Sequence, residues 1–137
     1  MNDHSCVEVS SEWDIVAARQ AGRDLSKELG FGTVDQARVT TAISEIARNI
    51  YLYAGKGKIC VESVEKTGLY KVQKGIKITA TDEGPGIEDI RQAMEDGFTT
   101  SGGLGAGLPG VKRLMDEFSI DSNPEQGTTI ITTKWTR

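Results

Sequence analysis

No apolar run among the 137 residues approaches the roughly 20 that a membrane-spanning helix needs. The first residues, Met-Asn-Asp-His-Ser-Cys, lack the basic segment and apolar stretch of a secretory signal, so the expected location is cytoplasmic. Cysteine is scarce: Cys6 and Cys60 are the two present, with neither CxxC nor metal-type spacing, and they read as free thiols in a reducing compartment. Basic clusters are missing as well. With 16 Lys and Arg against 20 Asp and Glu, the net charge of −4 argues against a nucleic-acid partner. Internal repeats, low-complexity tracts and interdomain linkers are all lacking. What remains is 37% hydrophobic and 26% charged, ordinary for a globular chain, and residues 1–137 are enough for one domain with a core of its own.

Residues 6–10 alternate as a short strand does. Ser11 with Asp14 forms an S-x-x-D capping signal for a helix that runs to about Leu29, its apolar face built from Val16, Ala17, Ala21, Leu25 and Leu29. Gly30 stops it. Thr33 or Asp35 caps a second helix, in which Val39, Ile43, Ile46, Ala47 and Ile50 fall on one stripe, and Gly55 and Gly57 end it. Strands are expected from Lys58 to about Glu65 and from Ile76 to Thr81, joined as a hairpin. Glu88 to Met94 reads as a short helix, residues 95–110 as a glycine-rich loop, and roughly Leu108 to Glu117 as a further helix. Two last strands, about 118–121 and 128–135, flank a turn at 123–127. Helices and antiparallel-type strands in this order predict an α+β layer sandwich.

Three features carry chemistry. Glu45 and Asn49, four residues apart, lie on one side of the second helix, about a quarter-turn from its apolar stripe. They read either as a solvated flank or as a proton-accepting carboxylate one turn from an amide oxygen suited to a hard cation. Asp82-Glu83-Gly84-Pro85-Gly86-Ile87 follows a strand, and by alternation Asp82 shares the face of Ile76, Ile78 and Ala80. A carboxylate at the rim of an apolar face needs a partner, which an adenine amino group, a backbone amide or a cationic side chain could supply. A plain strand-ending turn would use the same residue types. The third feature, residues 99–108, runs through Gly102, Gly103, Gly105 and Gly107 into a helix; glycines let backbone N–H groups approach phosphate oxygens, and a helix N-terminus favours anions. Gly105, Gly107 and Gly110 fit G-x-G-x-x-G, but no strand precedes them. Gly105 and Gly110 have P-loop spacing, but Val111 stands where the lysine belongs. The H-R-D and D-F-G signatures of protein kinases are absent.

Taken in order, these pieces resemble the GHKL superfamily of ATPases and kinases, which includes gyrase, Hsp90, MutL and histidine kinases. Glu45-x-x-x-Asn49 resembles its N box, Asp82-x-Gly84-x-Gly86 the first glycine box and Gly103-x-Gly105-x-Gly107 the second, while Gly127-Thr128 resembles the short terminal motif. The resemblance implies a two-layer Bergerat-type sandwich: a mixed, mostly antiparallel sheet covered on one face by helices. It implies ATP and Mg²⁺ as cofactors. Asn49 would hold Mg²⁺, Glu45 would act as catalytic base on the acceptor hydroxyl, and Asp82 would accept a hydrogen bond from the adenine amino group, with Thr128 at the same edge. Gly86 would leave room for the base, and Gly84 would also line the nucleotide. Thr99, Thr100, Gly103, Leu104, Gly105, Ala106, Gly107 and Leu108 would line the nucleotide, beneath a lid spanning about residues 95–106.

Residues 42–57 and 96–118 and the compact size are most similar to the bacterial anti-sigma-factor kinases, and among them to the switch kinases of the stressosome. The only histidine, His4, does not fit a phosphoacceptor helix, so the acceptor would lie on another protein. The resemblance implies transfer of the ATP γ-phosphate to a serine or threonine of a STAS-domain regulator in the stressosome scaffold. The kinase would then bind and activate a PP2C-type phosphatase or its regulatory domain. Nucleic acid and membrane are not expected partners, and either a monomer or a homodimer fits. The alternative is an ATP-gated binding module, an anti-sigma factor or switch protein with little catalysis. Trp13 and Trp135 read as packing residues, and Lys112-Arg113 as a solvated helix face.

Overall fold

The computed structural model describes residues 4–84, 107–123 and 125–137. Strand β1 (His4–Val9) leads into helix α1 (Glu12–Glu28) and helix α2 (Thr33–Asn49), which passes into a single π-helical turn, Ile50–Ala54. Strands β2 (Gly57–Thr67) and β3 (Val72–Asp82) form a hairpin; helix α3 (Gly107–Leu114) and strands β4 (Glu117–Asn123) and β5 (Gly127–Trp135) complete the described chain. The five strands lie in the order β1-β2-β3-β5-β4, antiparallel at every described pairing. The expected α+β sandwich is therefore present. The expected helix at 88–94 and lid at 95–106 lie outside the described residues.

Helix α1 starts where the sequence signals it. The Asp14 carboxylate accepts hydrogen bonds from the backbone N–H groups of Ser10 (2.9 Å) and Ser11 (3.0 Å). These bonds, that of Ser10 first, hold its pKa below the usual carboxylate value against some opposing desolvation. The helix also ends as expected. Gly30 N–H donates to Lys27 O and Phe31 N–H to Ser26 O, the two bonds of a Schellman motif, and Gly30 takes the left-handed φ of 88° that the motif needs.

Its buried face differs from the expected one. Ala18, Gly22, Leu25 and Ser26 are buried, with Ile15, Ala21 and Leu29 packed beside them, whereas Val16 is 54% and Trp13 83% exposed. The reading of Trp13 as a packing residue is thus corrected. Close approach sets the rotation: a Cβ on Gly22 would stand 2.1 Å from Ile43 Cδ1, so α1 meets α2 through a glycine rather than through Val16 and Ala17. On α2 the expected stripe holds, and Val39, Ile43, Ile46, Ala47 and Ile50 are all buried. The cap of α2 is Gly32 rather than Thr33 or Asp35, with no side-chain hydrogen bond to it. Helix α3 ends at Leu114, earlier than expected, because Glu117 already pairs with Thr133 across β4 and β5.

The core fills the space between the three described helices and one sheet face, where Ile59, Val61, Ile76, Ile78, Ala80 and Ile130 are buried. The opposite face carries transverse rows set by register. One runs Cys6, Cys60, Thr79, Ile131, Ser119 and the next His4, Glu62, Lys77, Thr133, Glu117. Lys77 pairs loosely with Glu62 at 3.9 Å, and Lys66 sits 4.4 Å over the ring of Trp135. The expectation of free thiols is overturned here. Cys6 stands directly opposite Cys60 in the β1–β2 register and the two form a disulfide. Their separation of 54 residues gives no sign of this in the sequence; the strand pairing creates it.

Candidate functional site

The π turn decides where α2 delivers its polar flank. At Ile50 the helix widens, and the Gly55 N–H closes it by donating to Ile50 O at 2.8 Å, a bond spanning five residues. Single π turns inside helices recur at functional sites. Here the turn brings the chain after Asn49 against the end of β3. A Cβ on Gly57 would lie 2.7 Å from Ile50 Cγ2 and 3.1 Å from Asp82 Cβ, so the start of the turn and Asp82 flank one point. A Cβ on Gly84 would lie 2.5 Å from Ala54 Cβ, so any side chain at Gly84 would collide with the end of the turn.

Asp82 is the last residue of β3 and partly buried. Its Oδ1 accepts the Gly84 N–H at 2.9 Å, a local bond that fixes the carboxylate and leaves Oδ2 for a further donor. Directly across the sheet stands Thr128, 8% exposed. Its hydroxyl shares a 2.8 Å hydrogen bond with Ser122 on β4. Gly127, just before it, has φ 87°, and a Cβ there would fall 2.0 Å from Asp82 O. Only glycine lets β5 begin so close to the β3 end.

Glu45 and Asn49 are both partly buried, one turn apart at the rim of the core rather than out in solvent. Gly107 opens α3 at φ 57°, and the next residues, Leu108 to Val111, are buried. The structure thus gathers Asn49, Asp82, Gly84 and Thr128 around the π turn and the β3–β5 end, with Glu45 one helical turn away on α2. Gly86, Thr99, Thr100, Gly103, Leu104, Gly105 and Ala106 lie outside the described residues. Leu108 is 6% exposed and belongs to the hydrophobic core.

Sequence reasoning missed Ala54 and Ser122. The first matters only because the helix ends as a π turn; the second is a serine in an edge strand, found once the β4–β5 register is known. Lys112 and Arg113 are exposed, as expected for a helix face. Tyr51 packs partly against the core, while Tyr53 is 49% exposed.

Comparison with known proteins identifies the family. The family of histidine kinase-, DNA gyrase B- and HSP90-like ATPases matches residues 34–136, and the chain belongs to it. Within that family it falls in the branch of serine/threonine-protein kinases and anti-sigma factors. It is 69% identical over 137 residues, all of both chains, to the serine/threonine-protein kinase RsbT of Bacillus subtilis. It is 33% identical over 102 residues to the anti-sigma F factor of Caldanaerobacter subterraneus, covering 72% of this chain and 69% of that one. The anti-sigma F factor of Bacillus subtilis is 34% identical over 111 residues, covering 74% and 71%. Among solved structures, a mycobacterial sensor histidine kinase, MprB, superposes with a TM-score of 0.54 at 17% identity, covering 98% of both chains, which supports the fold alone.

Proposed function

We propose that this chain is a cytoplasmic serine/threonine kinase that transfers the γ-phosphate of ATP to a STAS-domain regulator of a stressosome-type partner-switching pathway. It then binds and activates a PP2C-type phosphatase or its regulatory domain. Full-length identity of 69% to a serine/threonine-protein kinase carries this reading. The site geometry supports it.

Glu45, at the rim of the core, accepts the proton of the acceptor hydroxyl; Asn49 offers an amide oxygen, a hard donor of the kind Mg²⁺ takes. Asn49 would hold Mg²⁺ through that oxygen, and the ion would supply positive charge against the phosphates during transfer. The donor set fits, because Mg²⁺ in such sites needs few protein ligands and keeps phosphate oxygens and waters. Asp82, fixed through Oδ1, accepts the adenine amino group at Oδ2, and Thr128 steadies the same edge. Gly84 keeps the adenine-facing turn free of side chain where Ala54 closes in. Gly86 and the residues 95–106 enter through the resemblance, as a base-facing glycine and a phosphate lid. No described helix is long and apolar enough to cross a membrane.

The anti-sigma F factor relatives support a second reading, an ATP-gated binding module with little catalysis. Glu45 weighs against it, because a binder needs no base there. Transfer of radiolabelled γ-phosphate from Mg-ATP to a STAS-domain protein of the same organism separates the two. Label on serine or threonine, lost with Glu45→Ala, supports the kinase and its substrate class. Tight ATP binding without transfer to any STAS protein of that genome favours the binding module.

A further inference from the structure

Away from the nucleotide site, the outer face of the β1–β2 ribbon brings three metal-binding side chains together. His4 and Cys6 are two residues apart on β1 and so point to the same side. Cys60 is the direct partner of Cys6 on β2. The imidazole Nε2 of His4 lies 3.7 Å from Cys6 Sγ, and one ligand atom from each of the three residues falls within 4.8 Å of the others. His4 and Cys6 are exposed and Cys60 is partly so, which leaves the cluster open to solvent.

We propose that, once its thiols are reduced, this cluster is a zinc site. Reduction of the Cys6–Cys60 disulfide by a phosphine breaks the S–S bond with two electrons from phosphorus; water supplies the two protons that make both sulfurs thiols and the oxygen that leaves as phosphine oxide. Zinc then replaces the two thiol protons, which go to solvent, and takes the neutral imidazole as its third ligand. Two thiolates and an imidazole are the donors zinc prefers, with bonds of about 2.3 Å to sulfur and about 2.0 Å to nitrogen. Ligand atoms bound at those lengths around a tetrahedral ion sit roughly 3.5–4 Å apart, the spacing that His4 and Cys6 already show. Glu62, across from His4, turns to Lys77 instead, so the fourth position goes to water.

Disulfide and zinc site are thus alternative states of the same sulfurs. A reducing cytoplasm favours the thiol state, and zinc in turn protects the thiols from reoxidation. Both states tie the edge strand β1 to β2. The site is assembled by strand register, which is why the wide spacing of the two cysteines concealed it.

The test is a titration of the full chain, reduced with a metal-compatible phosphine, with zinc in competition with a chromophoric chelator. Cobalt(II) serves as a spectroscopic substitute. The expected result is one equivalent bound, with thiolate-to-cobalt charge-transfer and tetrahedral absorption bands. Binding is lost in Cys6→Ser and in Cys60→Ser. It is weakened in His4→Ala by at least the roughly tenfold that even an outer-shell partner contributes. The oxidised chain binds none. If the reduced chain holds no more zinc than a Cys6→Ser/Cys60→Ser double variant with unchanged circular dichroism, or if cobalt shows no thiolate band, the proposal is overturned.

Discussion

Helices α1 and α2 are each 17 residues long and line the same layer, yet they are used differently. In α1 the inward positions serve packing alone. The helix begins on the Asp14 cap and ends in a Schellman motif, so its exposed backbone groups near both ends find partners within the next few residues. Helix α2 packs just as tightly through Ile43 and Ile46, but it also carries Glu45 and Asn49 on its flank. Nor does α2 end directly at a glycine, as α1 does at Gly30. It widens into the π turn, and the extra residue of that turn carries the chain onto the Asp82–Gly84 bend. A helix that only packs can end wherever its caps are best. One that presents polar groups to a site must end where the neighbouring strand needs it.

The sharpest way to test that contrast is to remove the flank without touching the stripe. Glu45→Ala leaves Ile43, Ile46 and Ala47 in place, and should lower phosphotransfer by about 10²–10⁴-fold, the range for loss of a general base. Nucleotide affinity and melting temperature should stay near wild type. Single-turnover transfer with saturating Mg-ATP measures the first, and a fluorescent-nucleotide titration the second. Transfer at the wild-type rate would reduce Glu45 to a solvated flank and make the two helices alike.

A smaller loss is expected at the other side of the π turn. Asp82→Asn keeps the bond to the Gly84 N–H possible but replaces a charged acceptor by a neutral amide that can present a donor. Hydrogen bonds to charged groups contribute about 1.5–3 kcal/mol, which corresponds to roughly 10–150-fold weaker ATP binding. Equal affinity by calorimetry would remove Asp82 from adenine recognition.

Much of this arrangement is legible in the sequence, and, apart from the Gly32 cap of α2, the parts that are not share one cause. The stripe of α2, the Asp14 cap and the Gly30 stop depend on neighbours within a few positions, so periodicity and capping chemistry find them. The two boxes around Glu45 and Asp82 were read instead by resemblance, from their order along the chain. The rotation of α1 was not legible, because it depends on Gly22 meeting Ile43 on another helix. Nor was the Cys6–Cys60 pairing, which depends on the register of β1 against β2. The π turn was not legible either: Ile-Tyr-Leu-Tyr-Ala continues an ordinary helical pattern, and the end of the turn meets Gly84 from a distant part of the chain. Local chemistry was readable; choices made by a distant segment were not.

The α1 side of the comparison can be broken by filling its closest contact. Gly22→Ala places a methyl against Ile43 Cδ1, the far end of a flexible side chain. Overpacking of this kind costs about 1–3 kcal/mol. Alanine's better helix propensity returns about 1 kcal/mol. The net expectation is a loss of roughly 1 kcal/mol in urea unfolding, with phosphotransfer unchanged under native conditions. Unchanged stability would mean that Ile43 re-orients freely and that Gly22 does not set the rotation. A fall in transfer at constant stability would mean that α1 reaches the site after all, and the division of labour between the helices would fail.

The smallest effect lies at the start of α1 and shows itself in pH. The Asp14 carboxylate accepts the Ser10 and Ser11 N–H groups, and its pKa is lowered chiefly by the Ser10 bond. A group whose pKa is lower folded than unfolded stabilises the fold at pH values above its unfolded value. That contribution fades as the pH falls through the folded value, because the protonated carboxyl no longer favours the native state. Because Asp14 is only partly buried, the effect should be modest and weaker at high salt. Asp14→Asn should therefore lower the melting temperature slightly at neutral pH and leave it near wild type in acid, so that the two curves converge as the pH drops. Parallel curves would show that the cap works through hydrogen-bond geometry alone and that its charge contributes nothing to folding.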